Sequence, residues 1–127
     1  MNIPEDLRYT REHEWARNKA GRIVVGITDF AQDQLGDVVY VELPDVGDPV
    51  KKGESFGVVE STKAVSELFA PISGKVVEVN DPLSDAPETI NEDPYEEGWI
   101  AIEPSDPKDL EALMDAKTYR AFVEEQE

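Results

Sequence analysis

Gly57-Val58-Val59-Glu60-Ser61-Thr62-Lys63-Ala64-Val65-Ser66-Glu67 is the stretch from which the fold is read. Strand-forming residues lead into a short polar step, one lysine stands on the step, and a second strand-forming run leaves it. This is the pattern of a hairpin with a lysine at its tip. An amine so placed is reachable from several sides, which suits an amine that another enzyme must modify. A lysine in a turn is most often ordinary solvated surface. The small neighbours Thr62 and Ala64, and the flanking acids Glu60 and Glu67, favour the functional reading.

Working outward, residues 22–28 read as a strand, with the turn Ala20-Gly21 before it. Residues 29–36 read as a short helix, with Thr28 or Asp29 as N-cap, Phe30, Ala31 and Leu35 as its apolar side, and Gly36 as its stop. Residues 37–43 alternate as a strand exposed on one face, and Pro44 ends it. A turn-rich connection over 45–53 leads to strands at 55–60, 64–70 and 75–79, the last two separated by Pro71-Ile72-Ser73-Gly74. Residues 80–95, rich in Pro and Asn and without visible period, read as loop, and 98–103 as a final strand. Beyond Ser105 the spacing of Leu110, Leu113, Met114, Tyr119, Phe122 and Val123 predicts one or two short amphipathic helices, with residues 124–127 fraying. About seven short strands without crossover helices predict a mainly β sandwich or flattened barrel.

Composition narrows the function. The 127 residues suit one domain with a modest core, and no apolar run reaches the length of a bilayer span. The first six residues lack the basic start and apolar centre of a secretory signal, so the expected location is the cytoplasm. There is no cysteine, hence no disulfide, no thiolate metal site and no thiol nucleophile. Net charge is −17, and residues 85–127 hold 14 acids against Lys108, Lys117 and Arg120, so most of the excess lies in the last third. Such a field repels nucleic acid and anionic membranes, and neither is expected as a partner. It serves solubility, adapts the chain to a salty cytoplasm, or steers it toward basic docking faces.

Further motifs stand in order around the lysine segment: His13-Glu14-Trp15, Gly26-Ile27-Thr28-Asp29, Leu35-Gly36-Asp37, Val41-Glu42-Leu43-Pro44, Asn80, Asn91-Glu92-Asp93-Pro94-Tyr95 and Gly98-Trp99. With Glu60-Ser61-Thr62-Lys63-Ala64, Ser66-Glu67 and Ala70-Pro71-Ile72-Ser73-Gly74, the set resembles the glycine cleavage system H-protein family over residues 7 to 99, and the helical tail also fits. The resemblance implies a lipoyl/biotinyl-type sandwich of two small antiparallel sheets, a flattened barrel of the hybrid or hammerhead kind. It would carry a short helix in the N-terminal half and helices at the C-terminus. One lipoyl-bearing domain over 1–127 is expected, with its β core at about 8–103 and its helical segment at about 106–125.

The resemblance also implies the chemistry. Lys63 would carry (R)-lipoate in amide linkage, as lipoyl-lysine, attached by a lipoate ligase or lipoyl transferase. The lipoyl disulfide would accept an aminomethyl group from the PLP-dependent glycine decarboxylase (P protein). A tetrahydrofolate-dependent aminomethyltransferase (T protein) would take it on, and dihydrolipoamide dehydrogenase (L protein) would reoxidise the dithiol. The chain itself would be a non-catalytic carrier, with no catalytic residue and no metal.

A surface cleft is expected to shelter the loaded arm. Glu14 is its expected lining carboxylate, able to pair with the protonated amine. Glu67, where the family often has Asp, is a second candidate. His13, the only histidine, has no partner for a metal cluster or a nucleophile and is assigned a structural or cleft-forming role. Trp15 and Trp99 read as core aromatics, and Glu96-Glu97 and Glu124-Glu125 as solvated surface.

Two other carriers use a hairpin lysine: a lipoyl relay donating lipoate to 2-oxo acid dehydrogenases, and a biotin carrier. Biotin acceptors usually flank the lysine with methionines, which Thr62 and Ala64 are not. A stand-alone enzyme lacks support in a chain without nucleophile elbow, phosphate loop or metal-ligand spacing.

Overall fold

The computed structural model describes residues 2–95 and 98–126; the acidic pair Glu96-Glu97 and the terminal Glu127 lie outside them. In chain order the elements are β1 (Arg8–Tyr9), β2 (Glu14–Lys19), β3 (Arg22–Ile27), α1 (Asp29–Leu35), β4 (Val38–Glu42), β5 (Pro49–Val50), β6 (Ser55–Ser61), β7 (Val65–Phe69) and β8 (Gly74–Val79). Then follow α2 (Pro82–Asp85), α3 (Thr89–Glu92), β9 (Ile100–Pro104), a 3-10 turn (Pro107–Ala112) and α4 (Ala116–Gln126). The strands form two antiparallel sheets, a six-stranded one ordered β1-β2-β3-β9-β8-β5 and a three-stranded one ordered β4-β6-β7. The mainly β sandwich expected from the strand pattern is therefore present, with unequal sheets. Among the described residues, no helix is long and apolar enough to cross a membrane.

β2 was not legible as a strand. Its sequence, Glu14-Trp15-Ala16-Arg17-Asn18-Lys19, has no β-branched residue, and it exists because its backbone pairs with β3. Pairing sets Trp15 opposite Gly26, where an added Cβ would lie 2.5 Å from the indole; glycine lets the ring sit flat on the neighbouring strand. Trp15 faces a cluster with Tyr9, Phe30, Tyr95 and Tyr119, while Ala16 faces Val25, Ile72, Val76 and Ile102 on the other side of the sheet. A third cluster, with Ile27, Val41, Val59, Leu68 and Trp99, joins the two sheets. Each such buried side chain contributes roughly 1.5–3 kcal/mol of transfer free energy.

Three expectations need correction. Residues 80–95 are not all loop: α2 and α3 are single turns that bury Leu83 and Ile90 against Trp99. Four residues cannot display a helical period, and docking of one apolar side chain each is what forms them. The alternation of β4 fails too. A bulge between Val38 and Tyr40 buries both Val38 and Val41 and leaves Val39 and Tyr40 outside. Glu124 and Glu125 do not fray but stand within α4, which buries Ala116, Tyr119 and Val123 at helical spacing. The expected cap holds as read: Thr28 Oγ1 accepts from the Ala31 N–H, and Gly36 closes α1.

Candidate functional site

The last register pair of the β6–β7 hairpin is Glu60 with Val65, leaving Ser61 to Ala64 as the tip. The Ser61 N–H donates to the Ala64 carbonyl at 2.8 Å. Ser61 Oγ accepts from the Ala64 N–H at 3.1 Å and the Lys63 N–H at 3.3 Å, so one buried hydroxyl closes the turn. Thr62 donates its N–H to the Asp37 carbonyl at 3.0 Å, fastening the tip to the start of β4. Lys63 is exposed on this frame.

The lysine stem lies over Gly36, where a Cβ would stand 3.4 Å from Lys63 Cε. Gly36 has φ +79°, which favours glycine independently, so nothing crowds the base of the amine. Asn91 braces this turn from below. Its Nδ2 donates to the Gly36 carbonyl at 2.8 Å and to Gln32 Oε1 at 3.0 Å, and its Oδ1 accepts from the Val38 N–H at 2.9 Å. The role of Asn91 was missed because it requires α3 to dock, which no local pattern announces.

Beside the hairpin, between α1 and the free edge of β7, lies a cavity of about 290 Å³. Phe30, Leu35, Val59 and Leu68 give it apolar walls, while His13, Glu14 and Glu67 are among its polar groups, with Glu12, Gln34 and Ser66. The structure thus brings all three sequence-derived cleft candidates to one cavity, reached from the hairpin through Ala64 and Val65. Their settings differ. Glu67 is exposed on the rim, His13 is half-buried, and Glu14 is 2% exposed.

Glu14 is held by two donors: Thr10 Oγ1 to Oε1 at 2.8 Å, and the Phe69 N–H to Oε2 at 3.3 Å. Burial pushes its carboxyl up to about 8; the hydrogen bonds from Thr10 and Phe69 oppose the rise and Glu12 adds to it. At neutral pH burial therefore favours the protonated form of Glu14. An arriving cation would favour its ionised form. A second cavity of about 250 Å³, lined among others by Thr10, Lys52, Phe69 and Met114, lies against the same carboxyl, which forms part of both walls.

His13 takes a left-handed φ of +68° at the turn into β2. Its Nδ1 lies 2.8 Å from Tyr119 Oη, which is also 2.8 Å from Thr28 Oγ1. Its ring packs on Phe30 at 4.7 Å between centroids. Burial lowers its pKa, favouring the neutral imidazole. The C-terminal helix thereby fixes a wall of the cavity, a part for Tyr119 that its helical spacing alone did not signal. Trp15 and Trp99 are both buried. Among the described residues, no group of three or more His, Asp or Glu is arranged to hold a metal ion.

Comparison with known proteins agrees along the whole chain. The family model described as Glycine cleavage H-protein matches residues 7–126. A glycine cleavage system H protein of Anaeromyxobacter sp. (strain K) is 91% identical over 128 residues, covering 100% of both chains. That of Myxococcus xanthus (strain DK1622) is 64% identical over 97% of this chain and 96% of its own. Among solved structures, the crystal structure of a glycine cleavage system H protein from Mycobacterium marinum superposes with a TM-score of 0.85 at 45% identity, covering 94% of this chain and 97% of that one.

Proposed function

Because this chain belongs to the glycine cleavage H-protein family, we propose that it is a non-catalytic lipoyl carrier whose arm is attached at Lys63. The observation that carries the reading is an exposed lysine on a braced hairpin tip, beside a cavity with apolar walls and a buried carboxyl. These residues fit the group. The apolar walls suit a dithiolane and its hydrocarbon chain, and the acids suit an ammonium. Lipoate held there would supply a disulfide able to carry the aminomethyl group left by glycine decarboxylase as CO2 departs, for a tetrahydrofolate-dependent aminomethyltransferase that releases ammonia and a dithiol, which dihydrolipoamide dehydrogenase would reoxidise.

The chain's own residues do the rest. Lys63 Nζ becomes an amide nitrogen and loses its charge. Gly36 leaves room for the lysine stem, and Asn91 and Ser61 hold the tip in place. The cavity walls exclude water, and Glu14, whose neutral form burial favours, ionises against an ammonium and holds it by a charge-assisted contact. Glu67 adds a second negative charge at the rim. His13, kept neutral and fixed by Tyr119, shapes the wall without competing for the amine's proton.

The test is intact mass after incubation with a lipoate ligase, for the wild type and Lys63→Ala. Wild type should gain one lipoyl mass and Lys63→Ala none. An unmodified wild type, or a modified Lys63→Ala, overturns the reading.

A further inference from the structure

Four large apolar residues are exposed among those described, and three of them, Val39, Tyr40 and Val65, belong to the small sheet that carries the hairpin. Scattered apolar residues on a surface are ordinary. These are not scattered. The register sets Tyr40 opposite Glu60 and Glu60 opposite Val65, so one cross-strand row spans the sheet from edge to edge, two residues from Lys63. Tyr40 is 46% and Val65 67% exposed. The bulge in β4 produces this arrangement: with strict alternation from the buried Val38, Tyr40 would face inward and Val41 outward.

The row is also rigidly coupled to the lysine. Tyr40 and Val65 lie on strands paired to β6, and the Thr62 N–H to Asp37 bond locks the tip to β4. Its charge is one-sided. Asp37, Glu42, Glu60 and Glu67 surround it, and Lys63 is the only cation among residues 37–42 and 55–69.

We propose that the row Tyr40–Glu60–Val65 is the docking surface for the enzyme that acylates Lys63, which would meet it with an apolar pocket rimmed by Arg or Lys. The inference rests on the reading of Lys63 as the modified lysine. Reach selects this partner over the others. An enzyme that forms the amide must bring its active site to bonding distance of Nζ and so must cover the adjacent sheet. Enzymes that act on the finished arm meet its far end. Docking on a rigid neighbouring row orients the amine, and the surrounding acids draw a basic rim toward it.

The experiment measures lipoylation kinetics with a purified lipoate ligase, ATP and lipoate, using unmodified protein. Tyr40→Thr/Val65→Thr keeps strand-forming residues at both exposed sites, and circular dichroism and the thermal midpoint check its fold. KM for the protein should rise about tenfold with kcat unchanged, the mark of lost binding energy from an aromatic anchor. Val46→Thr, which removes the fourth exposed apolar residue from a turn outside this sheet, should leave KM unchanged. In a second measurement, Lys63→Ala should compete with wild type for the ligase, and adding the two threonines to it should weaken that competition about tenfold. An unchanged KM in the folded double variant, or a fall in kcat alone, overturns the proposal while the Lys63 assignment stands. So does a double variant whose only change is in self-association by sedimentation. Modification of Lys63→Ala would overturn the assignment and the docking surface together.

Discussion

The two sheets use similar β-branched sequences to opposite ends. In the six-stranded sheet Val25, Val76 and Ile102 are completely buried, and both faces of β2 are covered. In the three-stranded sheet only Val38, Val41, Val59 and Leu68 are buried apolar residues, while Val39, Tyr40 and Val65 face solvent. One sheet holds the molecule together; the other presents a lysine and a surface around it. Binary pattern decides stability in the first. In the second, a bulge and a handful of backbone hydrogen bonds decide what is shown.

The difference can be broken from the stable side first. Trp15→Ala removes an indole that covers Gly26, stacks under Arg17 and donates Nε1–H to the Pro94 carbonyl at 2.9 Å. It should cost about 3–5 kcal/mol in denaturant unfolding, while folded protein is still lipoylated at the wild-type rate. A loss of lipoylation in the folded fraction would mean that the two sheets do not divide the work this way.

Glu14 stands where the two regions meet, and its effect depends on pH. Below its ordinary value near 4.5, folded and unfolded chains both hold the proton. Between there and about 8 the unfolded chain loses it and the folded chain keeps it, so this group's contribution to stability falls as pH rises, then levels. Glu14→Gln cannot ionise and loses that slope. Unfolding midpoints at pH 5 and pH 8 should therefore shift in the variant's favour, by at most roughly 5 kcal/mol. An equal pH slope in the two proteins would refute a buried, neutral Glu14.

The smallest effect belongs to the hairpin. Ser61→Ala withdraws the acceptor for the Lys63 and Ala64 amides, which are near enough to solvent for water to replace it. A local cost of about 1 kcal/mol should appear as faster hydrogen exchange at Ala64, with the global midpoint little changed. A global drop as large as that of Trp15→Ala would show the tip to be part of the core.

Much of this was legible early. The strand-formers Val58, Val59 and Val65 on either side of a polar step announced the hairpin around Lys63, and Thr28 with Gly36 bounded α1, because caps and turns are local chemistry. What escaped has one cause. β2 lacks β-branched residues and needs β3; α2 and α3 are too short to show a period and need Trp99; Val39 and Tyr40 defy alternation because of an irregularity fixed by pairing. In the site, motifs assigned roles to His13, Glu14 and Glu67, whereas Asn91 stood in a motif without a role and Tyr119 only in a helical spacing. Their work is done across 53 and 106 residues of chain.

The sequence by itself determined a mainly β chain, a lysine on a hairpin, an acidic field and the absence of any thiol, since each follows from residue type and short-range spacing. Only the tertiary structure decided that Glu14 is buried, where its neutral form is favoured, that Gly36 and Asn91 support the lysine, and that a row of exposed side chains adjoins it. Burial, pKa and cross-strand register are properties of neighbours in space, and the chain order does not contain them.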